Sequence, residues 1–191
     1  SEAQGGPDVT RAPIVAREYL EAVRADGFAA EARFMHPDEL ARFQGLLIPV
    51  FEADQAAGSR ALLNATFGRD AAMLDVRLSD PVEFMRRFAR VMAVRMPDQP
   101  VGFDELRVLG MVEEGARVHV LVRLLTVSES ASEEDLEVVT LLPDGDEWKL
   151  TLGPKLEAAV RSMDRKGRDR RPTPRLVPST PPPEVERPGA E

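Results

Sequence analysis

The sequence predicts an α+β fold, in which N-terminal helices precede an antiparallel sheet of about four strands and a further helix follows the sheet. Apolar residues recur at helical spacing through the first half of the chain. From about residue 103 they alternate with a period of two, which is typical of strands with one buried face. Turns containing Gly and Asp separate the alternating runs, so consecutive strands are expected to pair as hairpins.

The first helix is predicted over residues 13–26. Thr10 is its expected N-terminal cap, Pro13 lies in its first turn and Gly27 follows its end. Four-residue spacing marks the face that should be buried, through Val15, Tyr19 and Val23. This apolar stripe is widened by Ala16, Leu20 and Ala22.

More helices are predicted before the sheet begins. Residues 28–35 form a short helix, and the next one starts at Pro37, with His36 in a capping or packing role and Glu39 in a capping box. Its apolar stripe comprises Leu40, Phe43, Leu47 and Phe51. A helical turn is expected at residues 61–63.

A last helix before the sheet starts at Pro81, because Asp80 is a suitable cap and Glu83 stands three residues later. Residues 97 and 100 are prolines that should end it and open a linker.

Four strands are predicted after this linker. They cover residues 103–112, 117–126, 135–142 and 147–152, with turns at 113–116 and 143–146. In the second strand one face is expected to supply the core, through Val118, Val120, Val122 and Leu124. Gly153 and Pro154 then start a C-terminal helix whose apolar residues are Leu156, Val160 and Met163.

The predicted organisation is a flexible N-terminus at 1–10, a single domain at 11–163 and a disordered tail at 164–191. The tail holds seven of the sixteen prolines and six of its basic residues lie between 165 and 175. Such a segment buries too little apolar area to offset the entropy lost on ordering, so we expect it to stay disordered.

Composition excludes several classes of function. The chain has no cysteine, which excludes disulfides, thiolate metal sites and a cysteine nucleophile. Its net charge is −8, and the tail has seven basic against five acidic residues, so the domain itself is more acidic and is not expected to bind nucleic acid. No apolar run reaches the length of a membrane span. The small polar start at Ser1 is typical of an exported chain, which favours a periplasmic or secreted location over a cytoplasmic one.

Four segments resemble the nuclear-transport-factor-2-like (SnoaL-like, cystatin-like) superfamily: AREYLEA (16–22), GF (27–28), MHPDEL (35–40) and GDEWKL (145–150). The resemblance covers about residues 13–163. It implies a cone, in which a curved sheet wraps around the helices and leaves a pocket at one end. It also implies a short strand before the third helix, which only residues 72–78 could supply.

The candidate catalytic residues are His119, Asp75 and Glu137. His119 is mid-strand and could act as a general base if its face lined the mouth of the cone. Asp75 and Glu137 could then face the cone interior, as acidic residues do in enzymes of the superfamily. The competing interpretation, which we favour here, is a solvent-side histidine on the outer face of the sheet.

No motif supports a nucleotide, a metal or a catalytic serine. Gly-x-Gly-x-x-Gly, P-loop, Gly-x-Ser-x-Gly and His-Glu-x-x-His patterns are all missing from the sequence, so no cofactor is expected. The acidic loop from Ser128 to Glu134 lacks the glycine and ligand spacing of a calcium loop, so no metal site is expected either.

The functional hypothesis at this level is a non-enzymatic domain that binds a small molecule or a partner protein in a cone-shaped pocket. Its candidate ligand contacts are Arg123, Trp148 and Tyr19, although a buried anchor is the first interpretation of Trp148. The alternative is a small lyase, isomerase or hydrolase that uses His119 with an acidic partner. A third alternative is a homodimer formed through the exposed face of the sheet.

Overall fold

A computed structural model of the chain describes residues 6–95, 102–128 and 131–169. Six α-helices and four strands lie in this part, and the helices are α1 Ala12–Asp26, α2 Pro37–Ala56, α3 Ala61–Phe67, α4 Met73–Leu78, α5 Pro81–Arg95 and α6 Pro154–Asp169. The strands are β1 Glu105–Glu114, β2 Arg117–Val127, β3 Ser132–Asp144 and β4 Glu147–Leu150. The predicted α+β class is therefore confirmed, with helices before a four-stranded antiparallel sheet and one helix after it.

The predicted cap of the first helix is wrong, and the predicted cap of α2 is confirmed. A 3-10 helix, Val9–Arg11, precedes α1, and it is Asp8 that caps it by accepting the Thr10 backbone N–H at 2.9 Å, so the predicted cap Thr10 is wrong. At α2 the His36 ring Nδ1 accepts the Asp38 N–H at 3.2 Å, which confirms its capping role. These contacts satisfy N–H groups that have no partner within the helix.

The segment 72–78, predicted as a short strand, instead forms helix α4 at Met73–Leu78. The carboxylate of Asp75 accepts the Ala72 backbone N–H at 2.6 Å, which favours a first helical turn. Val76 is buried on this short helix. Gln44 of α2 holds the helix in place by donating to the carbonyl oxygens of Val76 at 2.8 Å and Ser79 at 3.1 Å. These contacts stabilise the helix, and the imperfect alternation of apolar residues does not provide a strand with a buried face.

The four strands form a meander in the order β1-β2-β3-β4. Two-residue turns join β1 to β2 and β3 to β4, and Gly115 and Gly145 adopt φ values of 61° and 62° in them. Only glycine enters this left-handed region without a steric cost, which is the reason for glycine at both turns. Residues 34–36 run along the free edge of β4, where the His36 N–H donates to Leu150 O at 2.9 Å.

A bulge changes the predicted alternation in β1. Val108 pairs with Val122, but Gly110 pairs with Leu121, so one extra residue lies in β1 between the two pairs. Beyond the bulge Met111 shares the face of the core, and Val112 lies on the opposite face, next to His119. The strict alternation expected through Val112 is therefore wrong after Val108.

One core lies between the helices and one face of the sheet. Val118, Val120 and Val122 of β2 are buried there, as predicted, with Val139 and Leu141 of β3 beside them. On the helix side, an aromatic cluster joins α2, α3 and α5, and its members are Phe43, Phe51, Phe67, Phe84 and Phe88. The core is thus filled by side chains from both layers.

The predicted domain limits at residues 11 and 163 stay a prediction. The 3-10 helix at Val9–Arg11 lies within the N-terminal segment predicted to be flexible, and α6 continues to Asp169. Residues 1–5 and 170–191, which include most of the predicted tail, are outside the described part of the chain. Among the described helices none is long and apolar enough to cross a membrane.

Candidate functional site

His119 lies on the outer face of the sheet, which we define as the face opposite to Val118, Val120 and Val122 in β2. Its Nδ1 is 2.9 Å from Thr140 Oγ1 in β3. Its Nε2 is 2.9 Å from Glu114 Oε2, at the end of β1. Cross-strand pairing brings these groups together, because Thr140 is directly opposite His119 and Glu114 is the last residue of the neighbouring strand β1.

The structure does not bring His119 together with the two predicted carboxylates. Glu137 pairs with Val122, so it projects from the core side of the sheet, whereas His119 projects from the outer face. Asp75 is exposed in α4, where it binds the Ala72 backbone. The acidic partner of His119 is Glu114, which the sequence pattern had marked only as a turn residue.

The three groups Glu114, His119 and Thr140 form a carboxylate–imidazole–hydroxyl chain. In its neutral form the ring donates from Nε2 to the carboxylate and accepts the hydroxyl proton at Nδ1. This order of groups resembles the arrangement that activates a hydroxyl nucleophile. However, the Glu114 side chain is 73 % exposed, so the chain lies open to water on a sheet surface.

Tyr19, Glu31 and Glu137 form an acidic cluster on the core side of the sheet. Glu31 is 6 % exposed, and burial raises its pKa to about 7. Burial also raises the pKa of the Tyr19 hydroxyl, and the negative charges of Glu31 and Glu137 raise it further. Tyr19 packs edge-on against Phe34, at 6.0 Å between ring centroids. Tyr19 and Glu137 were predicted site residues, but Glu31 was not, because nothing in the AAEAR sequence around it indicates that it is buried.

The two other predicted ligand contacts lie apart from Tyr19. Trp148 is buried, and its indole N–H donates to the Asp8 carbonyl oxygen at 2.9 Å, so it anchors the N-terminal segment. Arg123 lies on the outer face, with its Nε 3.6 Å from a carboxylate oxygen of Glu134. The Arg123 Nε is buried and makes no hydrogen bond to the described residues.

Four exposed apolar side chains lie together on the outer face. This outer apolar patch consists of Val112, Leu121, Leu136 and Val138, which are between 37 and 65 % exposed. Leu121 is directly opposite Val138, and Leu136 is directly opposite Arg123. Val112 reaches this face only because of the bulge in β1. Apolar side chains that gather on one face in this way are typical of interaction surfaces.

Two open clefts flank the 3-10 helix Phe28–Arg33. The first, here called the arginine cleft, has a volume of about 270 Å³ and is lined by Asp26, Ala29, Ala30, Arg33, Arg86 and Arg90. The second has a volume of about 300 Å³ and lies where α2, α5 and the β3–β4 turn meet, with Arg33 shared between the two. Neither cleft is lined by any of the six residues predicted to be catalytic or ligand-binding.

In the described part of the chain no three His, Cys, Asp or Glu side chains converge in a way that could hold a metal ion.

Comparison with known proteins identifies no relative of this chain. No family model, no curated protein and no solved structure matches the chain.

Proposed function

We propose that this chain is a non-enzymatic binding domain and that its outer sheet face docks a second copy of the same chain. The observation that carries the proposal is the outer apolar patch at the centre of the four-stranded sheet. Covering these four side chains would remove apolar area from water, which favours association by roughly 25 cal/mol per Å². The order of helices followed by a strand meander supports membership of the nuclear-transport-factor-2-like superfamily, which we propose with it.

The charges around the patch support a second copy as the occupant. The outer face carries acidic residues (Glu105, Glu114, Glu134) and basic residues (Arg107, Arg117, Arg123) among its register positions. In a two-fold interface the same surface meets itself, so each residue contacts a different residue of the other copy. A face with both signs can satisfy this requirement, whereas a face with one sign would repel its copy.

Two arginines on the outer face favour docking for a further reason. Arg107 and Arg123 are directly opposite on neighbouring strands, where like charges destabilise the pair. Glu134 lies 3.6 Å from the Arg123 Nε, so its charge offsets only part of this repulsion. A further carboxylate supplied by the second copy would relieve the remaining repulsion between the two guanidinium groups.

Self-association can be tested by light scattering on the full chain over a range of concentrations. We expect the apparent mass to rise from the 21.1 kDa of the monomer to twice that value. The substitution Val138→Glu places a charge within the patch, and Val138 is 57 % exposed, so the monomer should still fold. Burying this charge without a partner should weaken dimerisation by about tenfold or more.

Val94→Glu is the matched control, because Val94 is 81 % exposed on α5, away from the sheet. It introduces the same charge and should leave the dimerisation constant unchanged. A wild-type chain that stays monomeric at every concentration would overturn the proposal, as would equal weakening by both substitutions.

The catalytic alternative is supported only by the Glu114–His119–Thr140 chain. Acyl transfer also needs donors for the developing oxyanion and a site that holds the substrate. At this position the backbone N–H groups of β2 and β3 belong to a regular ladder, and neither described cleft adjoins it. These features favour a structural role, in which the chain ties the ends of β1, β2 and β3 together.

A fluorophosphonate probe separates the two interpretations, because it reacts with activated hydroxyl groups. We expect Thr140 to remain unlabelled, as measured by peptide mass spectrometry. Labelling of Thr140 in the wild type that disappears in His119→Gln would support catalysis and count against a purely binding role. The hypothesis of a ligand held inside a cone-shaped pocket stays a prediction beside this proposal.

A further inference from the structure

Three arginines converge on the arginine cleft from two separate elements. Arg33 ends the 3-10 helix Phe28–Arg33, and Arg86 and Arg90 are one turn apart on α5. More than fifty residues of sequence separate Arg33 from the other two. The fold thus assembles a cationic cleft on a chain whose net charge is −8.

None of these arginines forms an ion pair within the described ranges. No carboxylate oxygen comes within 4.0 Å of the Arg33, Arg86 or Arg90 guanidinium groups there. Their neighbour Arg87 differs, since its Nε is 2.8 Å from Glu83 Oε1. Like charges at i and i+4 on one helix, as at 86 and 90, destabilise the helix, and Glu83, the carboxylate whose charge acts on both, is itself bound to Arg87.

The surrounding structure orients the Arg33 side chain directly and fixes the helix that carries Arg86 and Arg90. Arg33 stacks on the Phe34 ring, with its guanidinium carbon 5.0 Å from the ring centroid. On α5, the buried residues Phe84, Met85 and Phe88 fix the rotation of the helix about its axis. A cation–π contact and a locked helix both reduce the entropy that would be lost on binding a ligand.

The ligand chemistry follows from the guanidinium group. Arginine presents a planar fork of N–H donors that matches a carboxylate or phosphate with two parallel hydrogen bonds. Two or three such forks around one cleft favour an anion with several oxygen atoms. The cleft is open, and its volume of about 270 Å³ lies just below the usual range for small-molecule sites, about 300–1,000 Å³, so it has room only for a small anion.

Asp26 is the one carboxylate among the described lining residues of this cleft. A carboxylate accepts hydrogen bonds only, so it would repel the anionic group and attract a donor. A ligand that carries a hydroxyl beside its anionic group satisfies both kinds of side chain. Asp26 would then set specificity while the arginines supply most of the attraction.

We propose that the arginine cleft binds a small hydroxylated molecule through its phosphate or carboxylate group, with Asp26 accepting a hydrogen bond from the hydroxyl. This site is separate from the outer sheet face, because the cleft lies between the 3-10 helix and α5 and not on the sheet. Anion binding at the cleft can therefore be tested whether or not the chain dimerises.

The test titrates the full chain with inorganic phosphate, succinate and malate at constant ionic strength, using isothermal calorimetry. Malate differs from succinate by one hydroxyl, so it reports on Asp26. We expect saturable binding at millimolar concentrations of at least one anion. If phosphate binds and both dicarboxylates do not, the anionic group is a phosphate; the reverse result identifies a carboxylate.

Variants then assign the binding to the cleft. Arg86→Gln and Arg90→Gln should each weaken binding about tenfold. Arg17→Gln is the control, because Arg17 is exposed on α1 and lies 3.9 Å from Glu21. Asp26→Asn should remove any preference for malate over succinate and leave succinate binding intact or stronger. Thermal unfolding of each variant checks that the fold is retained.

Two results would overturn the proposal. One is no saturable binding of any of the three anions. The other is binding that Arg86→Gln and Arg90→Gln leave unchanged, or that Arg17→Gln weakens equally, since the anion would then bind elsewhere or through net charge alone.

Discussion

Replacing Phe84 with alanine is expected to lower the free energy of unfolding by about 3–5 kcal/mol. Phe84 is fully buried on α5, and its ring centroid lies 6.2 Å from that of Phe43, 6.0 Å from Phe51 and 5.9 Å from Phe67. The substitution leaves a cavity where three helices meet, and these helices relax only partly to fill it. A domain is stable by about 5–15 kcal/mol in total, so the loss is a large fraction.

Urea unfolding followed by circular dichroism measures this effect. Phe28→Ala is the matched control, because Phe28 is 47 % exposed in the 3-10 helix and its removal should cost far less. Similar losses for the two substitutions would show that the aromatic cluster does not hold α2, α3 and α5 together. An unchanged midpoint for Phe84→Ala would contradict the described core.

Replacing Glu31 with glutamine is expected to stabilise the domain above neutral pH and to remove much of its pH dependence. Glu31 is 6 % exposed, and among the described residues no hydrogen bond or ion pair reaches its carboxylate. Burial raises its pKa from 4.5 to about 7. An ionised carboxylate therefore costs free energy in the folded state, which neutral glutamine avoids.

The direction of the pH dependence follows from the two pKa values. Below pH 4.5 the group is protonated in both folded and unfolded chains, so its raised pKa carries no cost. Between pH 4.5 and about 7 the unfolded chain loses its proton first, so stability falls as the pH rises. Above about pH 7 both states are ionised, and the full cost of about 3 kcal/mol remains.

The measurement compares the free energy of unfolding of wild type and Glu31→Gln at pH 4 and pH 8. We expect the variant to be more stable by up to about 3 kcal/mol at pH 8 and nearly equal to the wild type at pH 4. Glu18→Gln is the control, since Glu18 is exposed on α1 and should shift neither value. A difference that is the same at both pH values would show that Glu31 does not titrate as its burial requires.

Much of the fold could be predicted because its signals are local. The stripe in α1, the cap at His36 and the two glycine turns each depend on residues within a few positions of one another. The alternation Val118, Val120 and Val122 marked the buried face of β2 correctly, since a strand with one buried face must alternate. These features would be expected from any chain with the same local sequence.

Local signals failed where tertiary contacts decided the outcome. Residues 72–78 look partly like a strand, but Gln44 and a buried Val76 hold them as a helix. One extra residue in β1 moves Val112 to the outer face. The alternation of apolar residues in the sequence indicates neither this bulge nor the outer apolar patch that Val112 completes. A one-residue change in register reverses every later side chain, so small packing energies have large consequences.

The candidate sites show the same division. The helix-then-sheet order, the lack of cysteine chemistry and the position of His119 on one strand face follow from the sequence. The contacts of His119 with Glu114 and Thr140, the burial of Glu31 and the meeting of Arg33 with Arg86 at one cleft depend on tertiary packing. Periodicity constrains which residues share a face of one element, whereas contacts between elements depend on how those faces pack, and no local pattern records that packing.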